Sequence, residues 1–228
     1  MKTVQKHIDF LRHELKKVSD DTLDNLSDEF LYEALLMGRM RAIKNDANRN
    51  WFLSEFNKQV VCVSLKEDTL FNKCNCSSVG CKILKSETKV PQPLSSRRQY
   101  MLKVKDMSGN VIGHEELEFK NGSRNPKVVH KWDIVDGHLV IFLTNTNRHP
   151  ILKKVVMHGV MNDPLAASKY SVECDSNVVC YDPKTQPFPM DDVLVEGMYK
   201  ITMEMLMANL RSREDVLNDD NEERALQV

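Results

Sequence analysis

The chain has 228 residues, which suits one large domain or one body with an inserted subdomain. Hydrophobic residues make up 41% and charged residues 29%, so the composition is that of an ordinary globular protein with a real core. The net charge of −1 gives no bulk attraction to nucleic acid or to membranes. Charges run through residues 1–18, so no signal peptide is predicted, and no stretch is long and apolar enough to span a bilayer.

Two amphipathic helices are predicted at the N-terminus. Apolar residues recur at three- and four-residue spacing between Ile8 and Val18, which predicts a helix over 4–18. A second helix is predicted over 28–44, because Ser27 is a good N-cap and acidic residues occupy the first turn. Its predicted apolar face consists of Leu31, Ala34, Leu35 and either Met37 or Gly38.

From residue 58 the pattern becomes that of strands. The run QVVCVSL is short and β-branched, and several turn signals follow it at regular intervals. Asn121-Gly122 and Asp136-Gly137 are dipeptides typical of type I′ hairpins, and the second lies between two clear strands. We therefore predict a mostly antiparallel β-domain over 58–162.

The C-terminal region predicts one strong helix and an acidic tail. Three prolines, at 183, 187 and 189, exclude a central strand before the helix. The predicted helix has a broad apolar stripe, made of Leu194, Met198, Ile201, Met205 and Ala208 and widened by Val193, Met203, Leu206 and Met207. The acidic residues after 212 predict an extended arm or a disordered tail.

The predicted fold class is α+β. Helices at the two chain ends must pack together to bury their apolar stripes, so the β-domain would be an insertion between them. The predicted boundaries are 1–57 for the N-terminal helical part, 58–182 for the inserted β-domain, and 183–228 for the C-terminal helix and acidic arm, which packs with 1–57.

A cluster of cysteines is the strongest candidate for a metal site. Cys74, Cys76 and Cys81 could supply three thiolates to zinc, with Cys62 or His114 as a fourth ligand. Their spacing differs from the paired C-x2–4-C pattern of zinc ribbons and fingers, so unpaired, partly buried thiols are the competing interpretation. The prediction is therefore no metal and no cofactor, with these three cysteines as weak candidates.

No constellation in the sequence predicts catalysis. A nucleophile at Cys62 or Cys81 with a histidine base has no local signature. His114, His130 and His138 all fall in predicted strands, where a solvent-facing or hydrogen-bonded structural role is the simpler interpretation. We therefore predict that the protein is not an enzyme.

Residues 74–131 form a locally basic region in an otherwise neutral chain. They contain five acidic residues and eleven lysines or arginines, at 82, 85, 89, 97, 98, 103, 105, 120, 124, 127 and 131. This region could approach nucleic acid, meet an acidic protein surface, or simply be a solvated strand face. The tail at 214–223 has the opposite charge, so the tail of one subunit could contact the basic region of the next.

Several phrases resemble the head-to-tail connector, or ring, proteins of crAss-like tailed bacteriophages. The run LSDEFLYEALLMGRMRAIK resembles the entry helix of phage adaptor proteins. The phrases FNKCNCSSVGCKILKSETKVPQPL, HLVIFLTNTNRHPILKKVVMHGVMNDP, PFPMDDVLVEGMYKITMEML and SREDVLNDDNEE resemble the connector proteins themselves. The resemblance covers most of the chain, and its motifs are structural.

The resemblance implies a virion protein at the head-to-tail junction, assembled in the host cytoplasm. It implies a homo-oligomer, a ring of twelve copies, that contacts the portal protein and neighbouring connector or tail rings while DNA passes through the lumen without sequence recognition. It implies no membrane partner. The residues leave one alternative open, a zinc-stabilised binding module that contacts nucleic acid or an acidic protein.

Overall fold

The computed structural model describes most of the chain, namely residues 2–18, 26–50, 53–68, 82–96, 99–114, 130–143, 152–170 and 187–225. The chain is mixed α+β, as predicted, and divides into two compact units. We call Met1–Asn57 together with Lys184–Val228 the helical unit, and Lys58–Pro183 the barrel unit. Asn121-Gly122 lies outside the described residues.

The elements follow one another in a simple order. The helices are α1 (Val4–Val18), α2 (Asp28–Arg49), α3 (Pro164–Ser168) and α4 (Asp192–Ala225), with a 3-10 turn at Glu55–Asn57. The strands are β1 (Gln59–Glu67), β2 (Lys82–Ser86), β3 (Ser95–Ser96), β4 (Gln99–Tyr100), β5 (Leu102–Asp106), β6 (Val111–His114), β7 (His130–Val135), β8 (His138–Leu143) and β9 (Lys154–Gly159).

The two predicted N-terminal helices are confirmed. Helix α1 has the predicted bounds, and α2 begins where predicted and continues to Arg49. The N-cap of α2 is also confirmed, because the Ser27 hydroxyl accepts a hydrogen bond from the backbone N–H of Phe30. Of the two alternatives for its apolar face, Gly38 is buried and Met37 is exposed.

The prediction for the C-terminal tail was wrong. Helix α4 does not end near residue 211 but continues through the acidic sequence to Ala225. The physical reason is the absence of helix breakers, since no glycine or proline follows Gly197. The arginines, glutamates, leucine and alanine of this segment are good helix formers, and the acidity of the segment alone does not prevent a helix.

Helices α2 and α4 pack closely and run antiparallel. Gly38 of α2 lies against Met198 and Thr202 of α4, and Leu31 and Leu206 share one apolar cluster. The buried line of α4 is therefore Met198, Thr202 and Leu206, one residue per turn. The predicted stripe was partly wrong. Its last member, Ala208, is exposed, and the line is centred on a threonine that the apolar pattern did not include.

The β-domain is a closed barrel, which the sequence did not predict. Its seven strands are ordered β1-β2-β8-β7-β6-β5-β9, and β9 pairs back with β1. Six of the neighbouring pairs are antiparallel, and the pair β6–β7 is parallel. Strand directions cannot alternate all the way around a ring with an odd number of strands, so a closed seven-strand barrel needs one parallel pair.

The interior of the barrel is apolar. Alternate residues point inward, so Val61, Val63 and Leu65 of β1 share one core with Val155 and Met157 of β9. Trp132 fills the opposite side, and its indole N–H donates to the Ile112 carbonyl oxygen at 3.1 Å.

The predicted hairpin at Asp136-Gly137 is confirmed. It joins β7 to β8, and both turn residues have positive φ, 52° and 79° respectively, as a type I′ turn requires.

Candidate assembly surfaces

The cysteines proposed as metal ligands are not placed by the structure. Cys74, Cys76 and Cys81 lie outside the described residues, so their zinc site stays a prediction. Cys62, one candidate for the fourth ligand, is fully buried on β1. Within the described ranges, no group of three or more potential ligand side chains is arranged to hold a metal ion.

The described histidines have structural surroundings. His114 on β6 lies with its ring 4.5 Å from that of Trp132, and its Nε2 is 3.8 Å from the Asp133 carboxylate. The Nδ1 atom of His138 is 3.0 Å from the Ser86 carbonyl oxygen. The Cys62 thiol is inaccessible to solvent, which makes it a poor nucleophile for any substrate that arrives from solution.

The basic region predicted at 74–131 does not form a single patch in the described part of the chain. Lys85 lies on β2, Lys103 and Lys105 on β5, and Lys131 on β7. Strands β2 and β5 are separated in the barrel by β1 and β9, so the basic residues are distributed around its circumference. Only the two lysines of β5 lie on one strand and point to the same side.

The hairpin formed by β5 and β6 combines positive charge with exposed apolar side chains. Lys103 is exposed and Lys105 is half-buried, and Lys105 is directly opposite Val111 in the strand register. Val111 is 66% exposed and Met107, at the turn, is 43% exposed, so the hairpin presents two apolar side chains to solvent. We call Lys103, Lys105, Met107 and Val111 the hairpin surface.

The one acidic side chain within the hairpin, Asp106, is engaged in its own turn. Its carboxylate accepts hydrogen bonds from the backbone N–H and the side-chain amide of Asn110, both at 2.8 Å. This arrangement fixes the tight turn, in which Gly109 has a φ of 88°. The carboxylate therefore supports the turn and does not neutralise the neighbouring lysines by direct pairing.

A buried arginine, Arg39, connects two segments of the helical unit, the one just before the chain enters the barrel unit and the one just after it. The guanidinium of Arg39 donates from Nε to the Pro189 carbonyl oxygen at 2.9 Å, and from Nη2 to the Asn57 carbonyl oxygen at 3.0 Å. It also lies 5.6 Å from the centre of the Phe188 ring. We call Arg39, Asn57, Phe188 and Pro189 the arginine clasp.

The clasp holds two segments that are far apart in sequence. Asn57 is the last residue of the helical unit before the barrel, and Pro189 follows soon after the chain returns at Lys184. The Asn57 side-chain oxygen also accepts from the Asp191 backbone N–H at 2.8 Å, next to the start of α4. Sequence reasoning missed the clasp, because a lysine or arginine in a helix is normally solvent-exposed.

The buried end of α1 contains a histidine with an altered proton affinity. The Nδ1 atom of His7 is 2.6 Å from the Tyr199 hydroxyl oxygen, and the His7 ring packs against Phe188. Burial, together with the nearby charge of Lys2, lowers the pKa of His7 to about 4, and burial raises the pKa of Tyr199 to about 12. Both side chains are therefore neutral at physiological pH.

Among the helices that the structure describes, none combines the length and the apolar character needed to cross a membrane.

The chain as a whole matches one known family of structural phage proteins. The model of the family described as phage tail ring protein 2 (CrAss_Ring_2) matches residues 6–224. The chain therefore belongs to this family of crAss-like phage tail and connector ring proteins, which confirms the resemblance noted in the sequence. No curated protein matches the chain. Family membership implies a structural role in the virion, in an assembly with other tail proteins.

Proposed function

We propose that the chain is a ring-forming subunit of the connector between the portal and the tail, through which the phage DNA passes, and that it has no catalytic role. The observation that supports this most directly is the family match over 6–224, because it includes both compact units and is not limited to one common domain. The place between the portal and the tail is what the resemblance of these sequence phrases to connector proteins implies.

We further propose that residues 1–57 and 183–228 form the helical body of the subunit and that residues 58–182 are a β-domain inserted between them. In support, α2 packs along α4, and the arginine clasp joins the segment before the barrel to the segment after it. A domain can be inserted without disturbing its host when the two connecting segments are held together. In the ring, the helices would line or buttress the channel and the barrel would contact neighbouring proteins.

The proposed assembly is a ring of twelve copies that forms in the host cytoplasm and contacts the portal protein and an adjacent connector or tail ring. A closed ring of identical subunits requires a heterologous contact, in which two different surfaces of each subunit meet. The near-zero net charge of the chain suits a channel through which DNA passes, because a strongly basic lumen would retain the DNA.

Electron cryo-microscopy of the head-to-tail junction in intact virions tests this proposal. The expected result is twelve copies of the chain in one ring layer between the portal and the tail. A ring located elsewhere in the tail would contradict the connector position but leave the family intact. Co-purification with the portal protein, with a major capsid protein as the negative control, provides a second test in solution.

A further inference from the structure

Helix α4 is much longer than the helices that pack against it. Gly38 of α2 lies level with residues 198–202 of α4, and α2 begins ten residues earlier, at Asp28. Because antiparallel helices have the same rise per residue, Asp28 lies level with about residue 210 of α4. Helix α1 gives the same limit on α4. His7 contacts Tyr199, and α1 ends eleven residues after His7, at Val18, which corresponds to about residue 210 of α4.

Residues 211–225 therefore extend beyond the ends of both α1 and α2. At about 1.5 Å per residue, this segment, which we call the helical arm, is about 22 Å long. A helix of this length has little stability in water unless it packs against another surface. The arm contains six carboxylates and three arginines. In the sequence, Val216, Asp220 and Glu223 recur at i, i+4 and i+7, a spacing that combines one apolar and two acidic residues in the helical repeat.

We infer that the helical arm of one subunit docks on the hairpin surface of the neighbouring copy in the ring. The two surfaces are complementary, because one combines acidic residues with a valine and the other combines Lys103 and Lys105 with exposed Met107 and Val111. Two different surfaces of one chain then meet, as a closed ring requires. This inference rests on the proposed ring and assigns its lateral contact.

Photo-crosslinking of the full-length chain tests the contact. A benzoylphenylalanine replaces Val111, which is exposed, and 15N-labelled and unlabelled proteins are mixed at high concentration before irradiation. Trypsin cleaves after Arg213 and Arg224, so the expected product joins the hairpin to the peptide 214–224 from the other isotopic population. The same crosslinker at Val193, which is 85% exposed on the helical unit, serves as the matched control and should not capture this peptide.

Charge reversal provides the second measurement. The variant Lys103→Glu/Lys105→Glu should lower the yield of the crosslinked dimer at least about tenfold, and adding Asp220→Lys/Glu223→Lys should restore it. This yield is measured on the undigested protein by denaturing gel electrophoresis, because the new lysines add trypsin sites within 214–224. Circular dichroism checks that each variant is folded. Three results would overturn the inference: no crosslink to 214–224, a crosslink only within the same copy, or an equal yield from Val193. If such a result comes from samples in which electron microscopy shows rings, the proposed function stands and only the docking site fails.

Discussion

The barrel unit buries mostly valine, isoleucine, leucine, methionine and one tryptophan, with Gln59 and Ser86 as its buried polar residues, whereas the helical unit buries His7, Arg39, Asn57 and Thr202 among its apolar residues. An apolar core responds mainly to lost volume. A buried polar group responds to the loss of a single hydrogen-bond partner, because the remaining atom stays desolvated. The comparison therefore teaches that the barrel depends mainly on packing, whereas the helical unit depends more on a few defined polar contacts.

This difference fits the tasks proposed for the two units. A closed barrel leaves no open sheet edge along its ring of strands, so it can present a surface to neighbours without edge-to-edge aggregation. The clasp and the close approach of α2 to α4 instead fix the positions of the chain segments within the helical unit. Four predictions test the contrast.

The largest effect is expected from Trp132→Ala in the barrel. Removing this fully buried ring should lower the free energy of unfolding by about 3–5 kcal/mol, because a large cavity replaces it. Urea denaturation followed by circular dichroism measures the loss. Trp132→Phe separates volume from hydrogen bonding. It keeps most of the ring and leaves the Ile112 carbonyl oxygen without this donor, so about 1–2 kcal/mol should be lost. Equal losses in the two variants would contradict a core that depends on packing.

Arg39→Met should cost about 3–4 kcal/mol in the helical unit, although methionine has a similar length. The carbonyl oxygens of Asn57 and Pro189 would lose their donors while remaining buried. The same urea titration measures the loss. Arg41→Met, two residues further along α2 and exposed, is the matched control and should change stability by less than about 0.5 kcal/mol. Similar values for the two variants would show that the clasp does not stabilise the fold.

Acid should destabilise the helical unit through His7. Its folded pKa of about 4 lies below the ordinary value of 6.5, so the unfolded chain binds the proton more readily. The stabilisation is complete above pH 6.5 and is lost as the pH falls from 6.5 to 4, by at most about 3 kcal/mol. Unfolding free energies measured across this range should decline in the native protein. The decline should be weaker in His7→Gln and unchanged in His13→Gln, which alters an exposed histidine on the same helix.

Much of the fold could be predicted because local patterns determine it. Apolar spacing predicted α1 and α2, and Asp136-Gly137 predicted the β7–β8 turn. Barrel closure could not be predicted, since the pairings β1–β9 and β6–β7 depend on contacts distant in sequence. The buried state of Arg39 was equally hidden, because its partners are backbone carbonyls that no residue pattern reveals. The helical arm was mispredicted because acidity received more weight than the absence of glycine and proline.

The smallest of the four effects, about 2 kcal/mol, is expected from Gly38→Ala, which tests how closely α2 approaches α4. A Cβ atom at this position would lie 2.0 Å from the Thr202 hydroxyl oxygen and 3.0 Å from the Met198 carbonyl oxygen. The helices would have to separate, and overpacking of this kind costs about 1–3 kcal/mol even though alanine is the better helix former. Urea denaturation again gives the difference.

The double variant Gly38→Ala/Thr202→Ala sharpens this result. Removing the Thr202 hydroxyl relieves the closer of the two clashes and leaves the contact with the Met198 carbonyl, so the double variant should regain part of the loss but not all of it. The positive coupling between the two sites, expected at about 1 kcal/mol, is obtained from a double-mutant cycle. Zero coupling would mean that the helices do not meet at these residues. Gly197→Ala, on α4 with open space where the added Cβ atom would lie, should stabilise the protein slightly, because there only helix propensity changes.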